Sequence, residues 1–167
     1  MYSWEEAKMA SPDTIYGITF SKLKLTELPE ELARFKELRK LNIEKNKLET
    51  LPKFIAEFDH LIELDVGRNK LINFPLVACR MPTIQRLILN RNSFEVIPEC
   101  IEYMKELKYL DLYDTPVGAL PNSMIKLDKL EKIDFTGIRF SPEFQEKWKS
   151  SLPDVELIFD PPCDCMK

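Results

Sequence analysis

The chain has 167 residues, of which 44% are hydrophobic and 31% charged, and a formal net charge of −4. That length suits one domain with a sizeable core, and the negative charge argues against bulk attraction to nucleic acid or an anionic membrane. No apolar run approaches the roughly 18 residues that cross a bilayer, and "MYSWEEAKMA" is charged where the apolar centre of a signal peptide would sit. As written the chain therefore reads as cytoplasmic, or as periplasmic or secreted if a leader had been removed.

The first element in chain order is a short helix over "SWEEAKMAS". Ser3 and Glu6 have capping-box spacing, and Trp4, Ala7 and Met9 are placed to cover an apolar layer that follows. Pro12 ends the helix, so residues 1–14 form an N-terminal helical cap.

From Ile15 onward the pattern changes and then repeats. Equivalent positions at Ile15, Leu38, Leu61, Ile84, Leu107 and Leu130 are each 23 residues apart. One unit reads Leu38, Leu41, Ile43, Leu48, Leu51, Ile55, Phe58, and the next reads Leu61, Leu64, Val66, Leu71, Phe74, Ala78, Met81. Prolines fall in register at Pro29, Pro52, Pro75, Pro98 and Pro121. Within each unit a period of two, as in "LRKLNI", gives way to a period near three, which predicts a strand followed by a tight return. With only 4 glycines in the chain, few turns with positive φ are expected.

These units resemble the leucine-rich repeat, LxxLxLxxNxLxxLPxxIxxLxx in its 23-residue form. The best match is "LRKLNIEKNKLETLPKFIAEF", and the resemblance covers about residues 15 to 159. It implies an α/β solenoid: a curved horseshoe of six repeats over residues 15–140, with a parallel sheet on the concave face. Physical reasoning agrees, because a single unit cannot bury its apolar side alone and must stack on its neighbours. Asn46, Asn69 and Asn92 stand where the chain leaves the strand, where a buried amide can satisfy backbone groups that the ladder leaves unpaired. Leu23, Thr115 and Ile138 occupy that position in the outer units, so the turn geometry there is expected to differ. Ala78 replaces the usual Ile and predicts a thinner layer.

At the far end "SPEFQEKWKS" begins with Ser141 as N-cap and Pro142 at the first helical position, and Phe144 and Trp148 share a face. Leu152, Val155 and Leu157 restate LxxLxL after a 22-residue step and predict a seventh strand. Residues 141–160 are thus a C-terminal cap helix with a last strand, and residues 161–167 a tail. A chain capped at both ends reads as a complete domain.

Catalytic groups are scarce. His60 is the one histidine and is expected to be exposed, and no nucleophile elbow, phosphate loop or zinc-protease motif is present. No enzyme activity, cofactor or metal is expected. Cys79 and Cys100 are read as small apolar fillers, with a disulfide the less favoured alternative because their offsets within the unit do not match. Cys163 and Cys165 form a CxC read as free tail thiols, with a tail or intermolecular disulfide and metal capture as alternatives.

Outward strand positions remain as the candidate site, since a parallel sheet is usually covered on both faces and here one face is left open. Tyr109, Tyr113, Arg86 and Ile88 cluster on two adjacent strands, and Tyr and Arg are enriched at binding hot spots. Asn90 and Arg91 lie beside them. Asp65, Asp111, Asp134 and Glu156 form an acidic column, and Lys22, Lys45, Arg68 and Arg91 a basic rim expected to be a solvated edge. The resemblance implies recognition of a protein or peptide on the concave face; the outward columns put Arg86, Ile88, Asn90, Arg91, Tyr109, Asp111, Tyr113 and Asp134 at the contact, and a monomer is expected. Nucleic acid is not expected as a partner. The alternative is self-association through a convex patch of Phe54, Leu76, Val77 and Cys100, or through the CxC tail.

Overall fold

Apolar residues at alternate positions can all be buried only if each short strand lies beside the equivalent strand of the next unit, and that is the arrangement found. The computed structural model describes residues 1–161. It contains one parallel sheet in sequential order, made of β1 (Tyr2–Ser3), β2 (Gly17–Thr19), β3 (Lys40–Asn42), β4 (Glu63–Asp65), β5 (Arg86–Ile88), β6 (Tyr109–Asp111), β7 (Lys132–Asp134) and β8 (Glu156–Ile158). The middle residues Ile18, Leu41, Leu64, Leu87, Leu110 and Ile133 point into one continuous core. From β2 to β7 each residue pairs with the one 23 positions later, as in Leu41↔Leu64 and Leu64↔Leu87.

The return side of each coil is a five-residue 3₁₀ turn: Glu30–Arg34, Lys53–Glu57, Leu76–Arg80, Glu99–Tyr103 and Asn122–Lys126. Each in-register proline immediately precedes one of these turns. Its carbonyl accepts the first bond of the turn, as Pro52 does from the Ile55 N–H at 3.2 Å. Its missing N–H is no loss there, because the opening residue of such a turn has no donor to place.

The asparagines do what the repeat predicts. Asn69 donates through Nδ2 to the carbonyls of Val66 and Ile43, each at 3.0 Å, and accepts from the Leu48 N–H at 3.1 Å. Asn92 repeats this with Leu89, Val66 and Leu71, and Asn46 bonds the Leu23 and Leu25 N–H groups. Thr115 makes only the local bond, Oγ1 to the Leu112 carbonyl at 2.8 Å, so the ladder stops at Asn92.

Several expectations need correction. Positive φ is common despite the few glycines: Lys22, Lys45, Arg68, Arg91 and Asp114 lie between 50° and 65°. Each of their N–H groups continues the ladder by donating to the next unit, for example Arg68 to the Asn90 carbonyl at 2.8 Å. That bond offsets the cost of about 1 kcal/mol for a left-handed residue. Gly137 is the glycine with positive φ, 84°, and a Cβ there would also lie 3.1 Å from the Asp114 backbone.

The last strand is also shifted. Ile133 pairs with Leu157, 24 residues on, so Leu157 takes the middle position and Phe159 stacks on Phe135 with ring centroids 5.0 Å apart. Glu156 therefore lies beside Lys132 and not in the Asp134 column. A strand that the periodicity did not predict, β1, precedes the first helix.

Helices stand at both ends of the stack. In α1 (Trp4–Met9) the Ser3–Glu6 capping box forms, Ala7 is fully buried and Trp4 packs on Phe20 and Phe35. Met9 is 90% exposed, because two residues beyond Ala7 a helix points to the opposite side. In α2 (Pro142–Ser151) the Ser141 hydroxyl accepts from the Phe144 N–H, Trp148 is buried and Phe144 stacks on Phe140.

Cys79 and Cys100 are bonded as a disulfide across a Cα–Cα distance of 5.7 Å, which corrects the reading of them as separate fillers. Matching offsets are a property of a β-ladder. The 3₁₀ turns Leu76–Arg80 and Glu99–Tyr103 share no ladder, so a residue late in one turn lies diagonally beside a residue early in the next. Cys163 and Cys165 lie outside the described residues.

Two stability outcomes follow. Replacing Cys79 and Cys100 together by Ala removes a cross-link over a sequence separation of 21 and is expected to lower unfolding free energy by about 3 kcal/mol in urea titrations. Asn69→Ala leaves buried carbonyls and an N–H unpaired and is expected to cost about 2 to 4 kcal/mol, against a change near zero for the exposed Lys70→Ala.

Candidate functional site

One face of the sheet packs on the core, and the outward side chains of the other form rows across the strands. Strand register defines the rows, and neighbours within a row are spaced by about 4.8 Å.

The first row runs Lys40, Glu63, Arg86, Tyr109, Lys132, Glu156. It satisfies itself in pairs. Lys40 and Glu63 approach to 3.2 Å, as do Lys132 and Glu156. Between them the Arg86 guanidinium lies over the Tyr109 ring, 3.9 Å from its centroid. Burial, with the carboxylates of Asp111 and Asp134, raises the Tyr109 hydroxyl above its ordinary pKa, so the ring stays a neutral phenol.

The middle row runs Asn42, Asp65, Ile88, Asp111, Asp134, Ile158. Four of these side chains accept the backbone N–H two residues on, at 2.9 Å: Asn42 from Glu44, Asp65 from Gly67, Asp111 from Tyr113 and Asp134 from Thr136. Ile88 cannot, and Asn90 instead sends its amide to the second oxygen of Asp111 at 2.7 Å. Gly67 makes room for this, since a Cβ there would lie 2.6 Å from the Asn90 Oδ1. Ile88 is half-buried among these groups, less open than the sequence suggested.

The outer row and rim carry Glu44, Tyr113 and the left-handed residues. Glu44 holds Lys45 at 3.0 Å and Arg68 at 3.6 Å. Arg91 lies over the Tyr113 ring, donates to its hydroxyl at 3.2 Å and pairs with Asp114 at 3.1 Å. From Lys45 to Arg91 each basic side chain of the rim thus has a carboxylate partner, with Glu44 shared between Lys45 and Arg68, and these side chains mark where each strand exits.

The structure brings Arg86 to Tyr109, Arg91 to Tyr113, and Asn90 to Asp111, with Asp134 registered next to Asp111. Sequence reasoning missed that both arginines are already stacked on the two tyrosines. Strand register contains this information, because Arg86 and Tyr109 are 23 residues apart and so are Asp111 and Asp134. His60 is exposed and isolated, as expected. Among the described residues no group of three or more His, Cys, Asp or Glu side chains could hold a metal ion.

Two cavities lie off this face. One of about 630 Å³ is bounded by Trp4, Phe20, Leu28, Pro29 and Phe54, and one of about 370 Å³ by Leu51, Phe74, Leu76 and Val77 with Lys53 and Arg80 at its rim. Leu76 is 63% exposed there, whereas Phe54, Val77 and Cys100 are half-buried against the core.

No protein-family model matches the chain, and no curated protein matches it. Solved structures do. A leucine-rich-repeat protein of Leptospira interrogans is 24% identical with a TM-score of 0.60, covering 81% of this chain and 40% of its own. An internalin of Listeria monocytogenes is 16% identical with a TM-score of 0.72, covering 89% of this chain and 42% of its own. The fold is that of the leucine-rich repeat, and the chain spans about two fifths of the length of these two proteins. No helix among the described residues is long and apolar enough to cross a membrane.

Burial, aided by Glu44, Asp111 and Glu63, pushes the Asp65 carboxyl up to about 6, although the Gly67 N–H opposes this. Its ordinary value is about 3.9, so between about pH 4 and 6 the folded protein binds a proton that the unfolded chain has lost. This group therefore lowers stability as pH rises through that window, and its effect is constant above it. Asp65→Asn keeps the acceptor for Gly67, as Asn42 shows one strand away. The variant is expected to have a higher urea midpoint than wild type at pH 7.5, with the difference gone near pH 4. Equal midpoints at both pH values would contradict the assignment.

Proposed function

We propose that the chain is a non-catalytic recognition module that binds a protein or peptide on the open face of its sheet. The observation that carries this is the face itself. Eight parallel strands bury one side and leave the other without a covering element among the described residues. A parallel sheet is ordinarily covered on both sides. Tyr109 and Tyr113 present amphipathic area whose rings are held by Arg86 and Arg91, so little side-chain entropy is lost on contact. Ile88, Asn90 and the carboxylates of Asp111 and Asp134 complete a mixed apolar and polar surface of the kind that partners recognise. The likeness to leucine-rich-repeat structures supports the same reading. The Cys79–Cys100 bond supports a working environment outside the reducing cytosol.

A second reading has one observation behind it. Leu76 projects beside the 370 Å³ cavity on the return side, a surface suited to self-association. Sedimentation across a range of concentrations separates the two: a constant monomer mass favours the sheet face, and concentration-dependent dimers abolished by Leu76→Ser favour the return side.

The direct test is capture from the source cell's extract and culture medium, using wild type and Tyr109→Ala/Tyr113→Ala with matched circular dichroism. The expected result is a protein retained by wild type and reduced at least tenfold with the variant. Equal retention by both would remove the tyrosine face as the site.

A further inference from the structure

On the open face the charges divide unevenly. Glu63, Glu156 and Glu44 each face a cation, and so does Asp114 at the rim. Asp65, Asp111 and Asp134 form no ion pair among the described residues. They share the middle row, and Asp111 and Asp134 are direct neighbours in register, about 5 Å apart. Two carboxylates so placed repel each other.

Turn formation does not require this charge. Each side chain needs only one oxygen to accept the N–H two residues on, and Asn42 does so uncharged in the same row. At the preceding position of the row, Thr19 accepts from the Ser21 N–H with a hydroxyl. The negative charge of the row is surplus to the fold. In the flanking rows every carboxylate named above is paired with a cation, so the carboxylates left for a partner are those of the middle row. Within this acidic strip Ile88 separates Asp65 from the Asp111–Asp134 pair.

We infer that this strip seats an extended, cationic segment of the protein partner, lying across the strands with two basic side chains four residues apart and an apolar one midway. The inference rests on the reading of the open face as the binding surface. The spacing comes from the sheet. Asp65 lies about 12 Å from the midpoint of Asp111 and Asp134, at about 4.8 Å per strand. An extended chain covers about 13 Å in four residues and alternates its side chains, so positions i, i+2 and i+4 share one side. The first cation meets Asp65, the apolar residue meets Ile88, and the second cation lies between Asp111 and Asp134. A long Lys or Arg stem accommodates the remaining mismatch. Tyr109, on the strand, and Tyr113, in the turn that follows it, stand two residues on either side of Asp111 and flank the second cation.

The test is selection of linear nine-residue peptides from a random display library on the wild-type protein. Selected peptides are then measured by fluorescence anisotropy against wild type, Asp65→Asn/Asp134→Asn and Tyr109→Ala/Tyr113→Ala. Both carboxamides retain the turn acceptor, and circular dichroism checks the fold. The expected result is enrichment of Lys or Arg at two positions four apart with an apolar residue midway. Affinity should fall at least tenfold in Asp65→Asn/Asp134→Asn and fall as salt is raised. Peptides without the basic pairs, or with them but indifferent to Asp65→Asn/Asp134→Asn, would overturn the inference. If such peptides still lost affinity with Tyr109→Ala/Tyr113→Ala, the open-face reading would stand and only the cationic strip would fall. Indifference to both double variants would remove the face as well. A library that yields no binder overturns the inference for linear segments.

Discussion

The Asn amide at the end of each central strand is the interaction on which the rest of the structure depends. Asn69 bonds two carbonyls and one N–H drawn from its own turn and the preceding unit. Those groups lie where the chain bends away from the ladder and would otherwise be buried without partners. With the bend satisfied, the following strand can start 23 residues later in unchanged register. Constant register then aligns Leu41, Leu64, Leu87 and Leu110 into one core and, on the opposite side, aligns the outward residues into rows. The site is thus a consequence of constant register: the amide ladder supports it as far as Asn92, and the strand ladder carries it on through β7.

The same logic explains what could be read from the sequence and what could not. Strand positions, the core column, the Asn bonds and the capping box all follow local rules of spacing and hydrogen-bond demand, and residues such as Leu41 and Asn69 carry those rules in their identity. Left-handed φ at Lys45 or Arg68 is not carried that way. A lysine there is no better suited than its neighbours, and the conformation is imposed by the ladder bond its N–H makes to the next unit. The disulfide was hidden for a related reason: its partners meet across 3₁₀ turns that share no ladder. At β8 the insertion of α2 breaks the 23-residue step, so Glu156 moved one row and joined Lys132. Residue types at the candidate site were legible, but their pairing was not, because whether Arg86 stacks on Tyr109 or reaches outward is decided by packing between units.

Neutralisation within rows has a functional consequence. In the first row Lys40–Glu63, Arg86–Tyr109 and Lys132–Glu156 each consume an adjacent complementary group. Such exposed pairs contribute little to stability. Their effect is to fix side-chain positions, and the two ion pairs also offset their own charges. A partner therefore meets ordered tyrosine rings beside a row of carboxylates that have no cation of their own. A charge pattern of this kind acts mainly on specificity and the rate of encounter.

Ala78 stands where other units carry a larger aliphatic residue, and it is fully buried in the core. In the same unit Phe74 packs edge-on against Phe94, with ring centroids 5.8 Å apart. The Cys79–Cys100 bond ties the turn that holds Ala78 to the next one. This is the region directly behind β4 and β5, whose outward faces carry Asp65, Arg86 and Ile88. A row of side chains can act as a ruler for a partner only if the strands beneath it keep their separation. The bond ties together the two units across which the acidic strip passes from Asp65 to Ile88.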